Sequence, residues 1–322
     1  MERQKFAVSV IICTHNPRPD YLRRVLNALA DQTLSKEQWE LLLVDNASNG
    51  MLSAQYDLSW HPHARHCRED HLGLTPARLR GIRDSTGELL IFVDDDNVLE
   101  SEYLEVSLNI RRQSPSLEVL GSGNISPEFE IEPEPWMEPY LSMFALRCVE
   151  REIWSNDPQS ARIYPCGAGM ALTRKVASEY SVQIERDPIR DQLGRRGASL
   201  ASAEDCDICF TAGALALGVG VFPSLRLKHL IPASRLTQSY MVRLSEEICF
   251  SGCILEYIWK GKVPPRRTIG WYFDCWRRHR KLSSIEGLFV KAWTRGEARA
   301  LEAIGLIERE KSIGSWSKSA MS

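Results

Sequence analysis

The sequence predicts an α/β protein built on an open, mostly parallel sheet flanked by helices. Three observations predict it. Residues 7–13 (AVSVIIC), 41–44 (LLLV) and 89–93 (LLIFV) are continuous apolar runs. Strands with one solvated face would alternate, so these read as strands buried on both faces. Amphipathic segments separate the runs, which gives a β-α-β-α-β order. Each run also ends in polar residues, and open α/β sheets bind ligands outside the carboxyl ends of their strands.

The elements follow in order. Asp20 is placed to cap a helix whose Leu22, Val25, Leu26 and Leu29 share one face. A further core strand is expected through His66 and Cys67. Thr75-Pro76 reads as an N-cap with proline at the first helical position, and Gly87 closes that helix. Residues 126–140 hold five glutamates and four prolines, which reads as a loop or lid. Gly167-Ala168-Gly169 marks a place where backbone turns sharply or approaches something closely. Residues 186–197 form a polar loop. Ser202 then opens an apolar helix running through about Leu217, and a strand over residues 219–228 precedes His229. From Pro232 onward the pattern is helical. Two parts are expected, a domain over residues 1–232 and a C-terminal helical extension over residues 233–322.

Composition bounds the function. The chain has 322 residues, 43% hydrophobic and 25% charged, and carries a net charge of -2. That is ordinary globular composition with ample core, and it gives no default reason to expect nucleic acid. The apolar stretches are too short for a signal peptide or a membrane span. Nine scattered cysteines, an odd number, favour free thiols and a cytoplasmic location. Residues 260–281 contain eight Lys/Arg and one acid, interleaved with Trp271, Tyr272, Phe273 and Trp276, so the other 300 residues carry -9. Such a segment suits the inner face of an anionic membrane, or packs its aromatics on protein.

The chemistry sits at the strand ends. Thr14-His15-Asn16, Asp45-Asn46 and Asp94-Asp95-Asp96-Asn97 end three successive runs and describe one pocket. Three adjacent carboxylates need a cation or strong donors, and their oxygens suit Mg²⁺ or Mn²⁺. On helical grounds alone, Glu204 and Asp205 are first-turn acids favoured by the dipole. His229 alone reads as a hydrogen-bonded histidine at a strand end. His61, His63, His66, Cys67 and His71 match no zinc spacing, and Cys206-x-x-Cys209 reads as small packing residues.

The ordered motifs VSVIICTHN, LLLVDNAS, GLTPARLRG, GELLIFVDDDN, SAEDCDICF and LKHLIPASRL together resemble family 2 glycosyltransferases of GT-A fold, over about the first 240 residues. The resemblance implies transfer of a sugar from a nucleotide donor, UDP-sugar first, to a carbohydrate or lipid-linked hydroxyl in glycoconjugate synthesis, with inversion. It places Thr14, Asn16, Asp45, Gly73, Ala77, Arg78, Asp94, Asp95 and Arg235 at the donor. It gives Asp96 and His229 to a Mn²⁺ or Mg²⁺ ion, and makes Asp205, with Glu204, catalytic. Leu79 departs from the family's usual Asn, and Ala203 from its usual Gly. A homo-oligomer is left open. The competing classes are a nucleotidyltransferase and a non-catalytic nucleotide-sugar binding protein. The first would carry a glycine-rich phosphate loop where this chain has Thr14-His15-Asn16-Pro17. The second would not need both Asp96 and Asp205.

Overall fold

A computed structural model describes residues 4–157, 164–265 and 283–319. Strands β1 (Val8–Thr14), β2 (Trp39–Asn46), β3 (Ala64–Glu69) and β4 (Leu89–Val93) alternate with helices α1 (Pro19–Ala30) and α2 (Leu74–Asp84). The chain continues through β5 (Asn97–Leu99), α3 (Tyr103–Gln113), β6 (Leu117–Phe129), β7 (Arg147–Cys148), β8 (Ile153–Ser155) and β9 (Ala171–Thr173). It closes with α4 (Arg174–Arg186), α5 (Glu204–Ala214), β10 (Gly218–Ile231), α6 (Gln238–Lys260) and α7 (Ser284–Ser319).

These strands form one sheet in the order β3-β2-β1-β4-β9-β6-β10-β5, with β7 on β6 and β8 on β10. The pairings set β1, β2, β3, β4, β6 and β10 running in one sense. Only the two- and three-residue strands β5, β7, β8 and β9 oppose them. The sheet is thus mostly parallel, as its unbroken apolar runs require.

Period-two alternation divides each buried strand between two cores. Val8, Val10 and Ile12 of β1 pack with Leu22 and Val25 of α1 and Leu104 of α3 on one face. Ile11, Leu42 and Phe92 face the other way, onto Ala77 of α2, Val176 and Tyr180 of α4, and Ile208 of α5. Two further clusters join the C-terminal helices to this body. Phe210 of α5 packs with Phe250 and Ile254 of α6 and Ile304 of α7. Phe144, Leu200, Met241 and Phe289 form the other. Among the described residues, no helix is long and apolar enough to cross a membrane.

Several ends differ from expectation. Asp20 lies inside the first turn of α1 and pairs with Arg18 at 2.7 Å, and Pro19 starts the helix. Gly73, not Thr75, is the N-cap of α2, with φ of 146°, a conformation that requires glycine. Ala203 precedes α5, and Ser202 does not cap it. Residues 126–129 continue β6, and the rest of the acidic stretch leads into a 3-10 segment, Pro135–Phe144. His229 lies inside β10 rather than after it. Most of the basic segment, residues 266–281, lies outside the described residues.

Candidate functional site

At the carboxyl edge of the parallel strands lies a cavity of about 530 Å³. Its wall includes Thr14 from the end of β1, Asn46 from β2, and Asp94, Asp95 and Asp96 from the turn after β4. Gly73, Ala77 and Arg78 enter from the start of α2, Glu204 and Asp205 from the start of α5, and His229 and Arg235 from β10 and the turn beyond it. Eleven of the thirteen predicted site residues therefore line one cavity.

The two others stand behind it. Asp45 accepts backbone N–H bonds from Ser48 at 3.1 Å and Leu52 at 3.2 Å, and pairs with Arg68 at 2.8 Å. It holds the loop after β2 in shape. Burial raises its pKa, but these donors outweigh burial and lower it. Asn16, at φ of 48°, accepts from the Asn49 N–H at 2.9 Å and ties the same loop to the end of β1.

Sheet register builds the acidic wall. β5 pairs antiparallel with β10, setting Asn97 opposite His229, and the Leu230 N–H donates to the Asp96 carbonyl at 2.8 Å. Residues far apart in the chain thereby become neighbours. His229 Nε2 lies 3.5 Å from Asp96 Oδ2, and Arg235 Nη1 lies 2.9 Å from that oxygen. Burial pushes Asp96 up, yet Arg235 and His229 outweigh it and hold the carboxyl well below the usual range. Asp95 accepts from the Thr14 hydroxyl. Burial, with Asp96 and Asp94 beside it, pushes Asp95 up to about 7.

The opposite wall is set by α2 and α5. Arg78 pairs with Glu204, lies 3.7 Å from Asp94, and stacks 4.6 Å above the Phe92 ring. Its guanidinium is thus committed to protein carboxylates. Burial pushes Glu204 up to about 7 against the pull of Arg78. Asp205, half-buried, has no ion pair among the described residues. It accepts from the Cys206 N–H at 2.8 Å and the Gly167 N–H at 3.1 Å. Burial prevails over these donors and raises its pKa. A carboxylate raised in this way is a stronger base.

Three groups on the wall were given no role by the sequence reading, although Asn46 was placed at the pocket. Asn46 accepts from the Gly73 N–H at 2.8 Å and donates to the His71 carbonyl at 2.8 Å, which fixes the entry to α2. Its signal was its place beside Asp45. Arg195 lies on the loop before α5, and its carbonyl accepts from the Leu74 N–H at 2.8 Å. Met143, Phe144, Leu200 and Ile248 add an apolar wall that no motif marks.

For a divalent cation, the fitting donors are Asp96 Oδ2 and His229 Nε2. His229 Nδ1 faces the Phe144 carbonyl at 2.9 Å, the anchoring usual for a ligating imidazole. Among the described residues no group of three or more His, Cys, Asp or Glu is placed to hold a metal. Burial raises Cys206 and Cys209 far above the ordinary thiol range.

Residues 9–165 match the family described as Glycosyl transferase family 2. Over 205 residues the chain is 22% identical to the glucosyl-dolichyl phosphate glucuronosyltransferase of Haloferax volcanii, covering 63% of this chain and 62% of that protein. Over 101 residues it is 32% identical to glycosyltransferase AglE of the same organism, covering 30% of this chain and 33% of that one. The chain thus spans less than two thirds of the length of these relatives. The crystal structure of S. aureus TarS 1-349 in complex with UDP-GlcNAc aligns with a TM-score of 0.50 at 17% identity, covering 89% of this chain and 79% of that one. At that identity the likeness concerns the fold, which is of the GT-A type.

Proposed function

We propose that this chain is a family 2 glycosyltransferase and moves a sugar from a nucleoside-diphosphate donor to an acceptor hydroxyl by a single inverting displacement. One observation carries the reading. Asp205, a half-buried carboxylate with raised pKa and no cationic partner among the described residues, shares a cavity with the Asp96–His229–Arg235 cluster. A base and an anion-binding pole face one space.

The roles follow from the geometry. Asp205 takes the proton of the acceptor hydroxyl as that oxygen attacks the anomeric carbon, and the bond to the diphosphate breaks with its electron pair leaving on the diphosphate. The Cys206 and Gly167 N–H groups aim the carboxylate. Glu204 acts by positioning, since its carboxylate is spent on Arg78. Thr14, Asp94 and Asp95 with Gly73 and Ala77 bound the donor. A Mn²⁺ or Mg²⁺ ion held by Asp96 and His229 would supply positive charge to the leaving diphosphate. UDP-sugars are the first donors to try, because the TarS structure above holds UDP-GlcNAc.

The test is Asp205→Asn. Transfer, and donor hydrolysis in a panel of nucleotide sugars, should fall by about 10²–10⁴-fold, the usual value of a positioned base. Donor binding by calorimetry should hold. Equal loss of binding and turnover would remove Asp205 from the base role.

A further inference from the structure

Asp96 does not present a bare carboxylate to the cavity. Arg235 Nη1 lies 2.9 Å from Asp96 Oδ2 and 3.3 Å from His229 Nε2, while those two atoms lie 3.5 Å apart. One guanidinium nitrogen therefore touches both atoms that suit a divalent cation. His229 Nδ1 faces the Phe144 carbonyl, which can only accept, so Nδ1 carries a proton and Nε2 is the ring atom turned toward Arg235 and Asp96. Arginine has no lone pair and stays protonated, so it cannot join a metal's ligands. A cation bound to these two atoms and a guanidinium bound to the same two atoms exclude each other.

From this we propose that Arg235 is an exchangeable counter-cation. It neutralises Asp96 and occupies His229 Nε2 until a divalent cation arrives, then turns to the diphosphate of the donor. The proposal rests on reading Asp96 and His229 as the cation site. The fold says which partner moves. Asp96 and His229 are fixed by the pairing of β5 with β10 and by the Leu230 N–H on the Asp96 carbonyl. Arg235 ends a short 3-10 segment, Ala233–Arg235, and its side chain keeps 22% of its exposure. Leaving a buried carboxylate unpaired is costly, so Arg235 departs only as another cation takes its place. The diphosphate then offers the freed guanidinium a bidentate partner. Cation and diphosphate should each tighten the binding of the other, reciprocally.

The experiment titrates Mn²⁺ alone into the wild type, Arg235→Met and Arg235→Lys, then repeats the titration with saturating UDP. Arg235→Met should bind Mn²⁺ alone about tenfold more tightly than the wild type, within the usual range of coupling between sites. UDP should add less to its Mn²⁺ affinity than it adds in the wild type. Arg235→Lys, which keeps a cation, should fall between. Mn²⁺ should also raise the melting temperature of Arg235→Met more than that of the wild type, a readout that requires a folded variant. Equal or weaker Mn²⁺ binding by Arg235→Met, with wild-type binding intact in the presence of UDP, would overturn the exchange alone. Absent Mn²⁺ binding in every protein, or undiminished binding in Asp96→Ala, would overturn the cation site and the exchange with it.

Discussion

Arg78 and Glu204 form an ion pair in which each side chain is only 4% exposed. They belong to α2 and α5, and the pair ties the starts of these helices together in the cavity wall. Arg78 also reaches Asp94, so one guanidinium ties three walls.

Breaking this pair should be expensive, because the remaining charge stays buried. Glu204→Gln or Arg78→Met should each cost about 3–5 kcal/mol in urea unfolding. The double substitution should cost less than the sum of the singles, since the partners are in contact. Strict additivity would mean that the pair does not couple the helices.

Asp205 must be ionised to accept a proton, and burial has raised its pKa. Turnover should therefore fall as pH drops through a value raised above that of an ordinary aspartate. Arg78 is one of the groups that lower this pKa. Arg78→Gln removes that charge, so the acid limb of kcat against pH should move to higher pH. The profile is to be measured at saturating donor, and a limb that moves the other way would contradict the assignment.

Gly167 tests the tolerance of the site. A methyl group there would come 2.7 Å from Arg78 Nη2, while the Gly167 N–H donates to Asp205. Gly167→Ala should lower turnover by about 10²-fold, as small misplacements in active sites do. The melting temperature should fall as well, because the Arg78 guanidinium that must give way is pinned to Glu204 and stacked on Phe92. Turnover and melting measured together check this.

Glu40 is a stability test remote from the site. It is 1% exposed and accepts from the Ser9 hydroxyl at 2.7 Å and from Arg65 at 2.7 Å, beside the start of β1. Burial raises its pKa, but these bonds outweigh burial, and the net shift is downward. A carboxyl lowered on folding contributes stability above its unfolded pKa and loses it as pH falls. Glu40→Gln should cost about 2 kcal/mol at pH 7, the worth of a bond to a charged group, and clearly less at pH 4. Urea unfolding at both values checks it.

Strand identity was legible because burial on both faces writes itself as unbroken apolar sequence. Residues 89–93 coincide with β4, while β2 extends beyond its apolar run to Trp39 and Asn46. Helix starts were less legible. A cap depends on backbone angles, and at α2 those angles demanded the φ of Gly73 rather than the hydroxyl of Thr75. Residues of all three strand-end motifs line one cavity, yet spacing could not separate wall from support. Asp45 and Asp94 both end apolar runs, but only Asp94 lines the cavity.

The sequence by itself determined the first strands and helices, the acidic carboxyl edge and a family resemblance. Hydrophobic periodicity and short motifs are local, and they survive without a fold. The tertiary structure alone decided who neutralises whom. It gave Arg78 to Glu204, Arg235 to Asp96, and left Asp205 with two backbone donors. Those pairings depend on the register of β5 with β10 and on the shared sheet face against which α2 and α5 pack. Charge complementarity over a few ångströms has no signature in chain spacing.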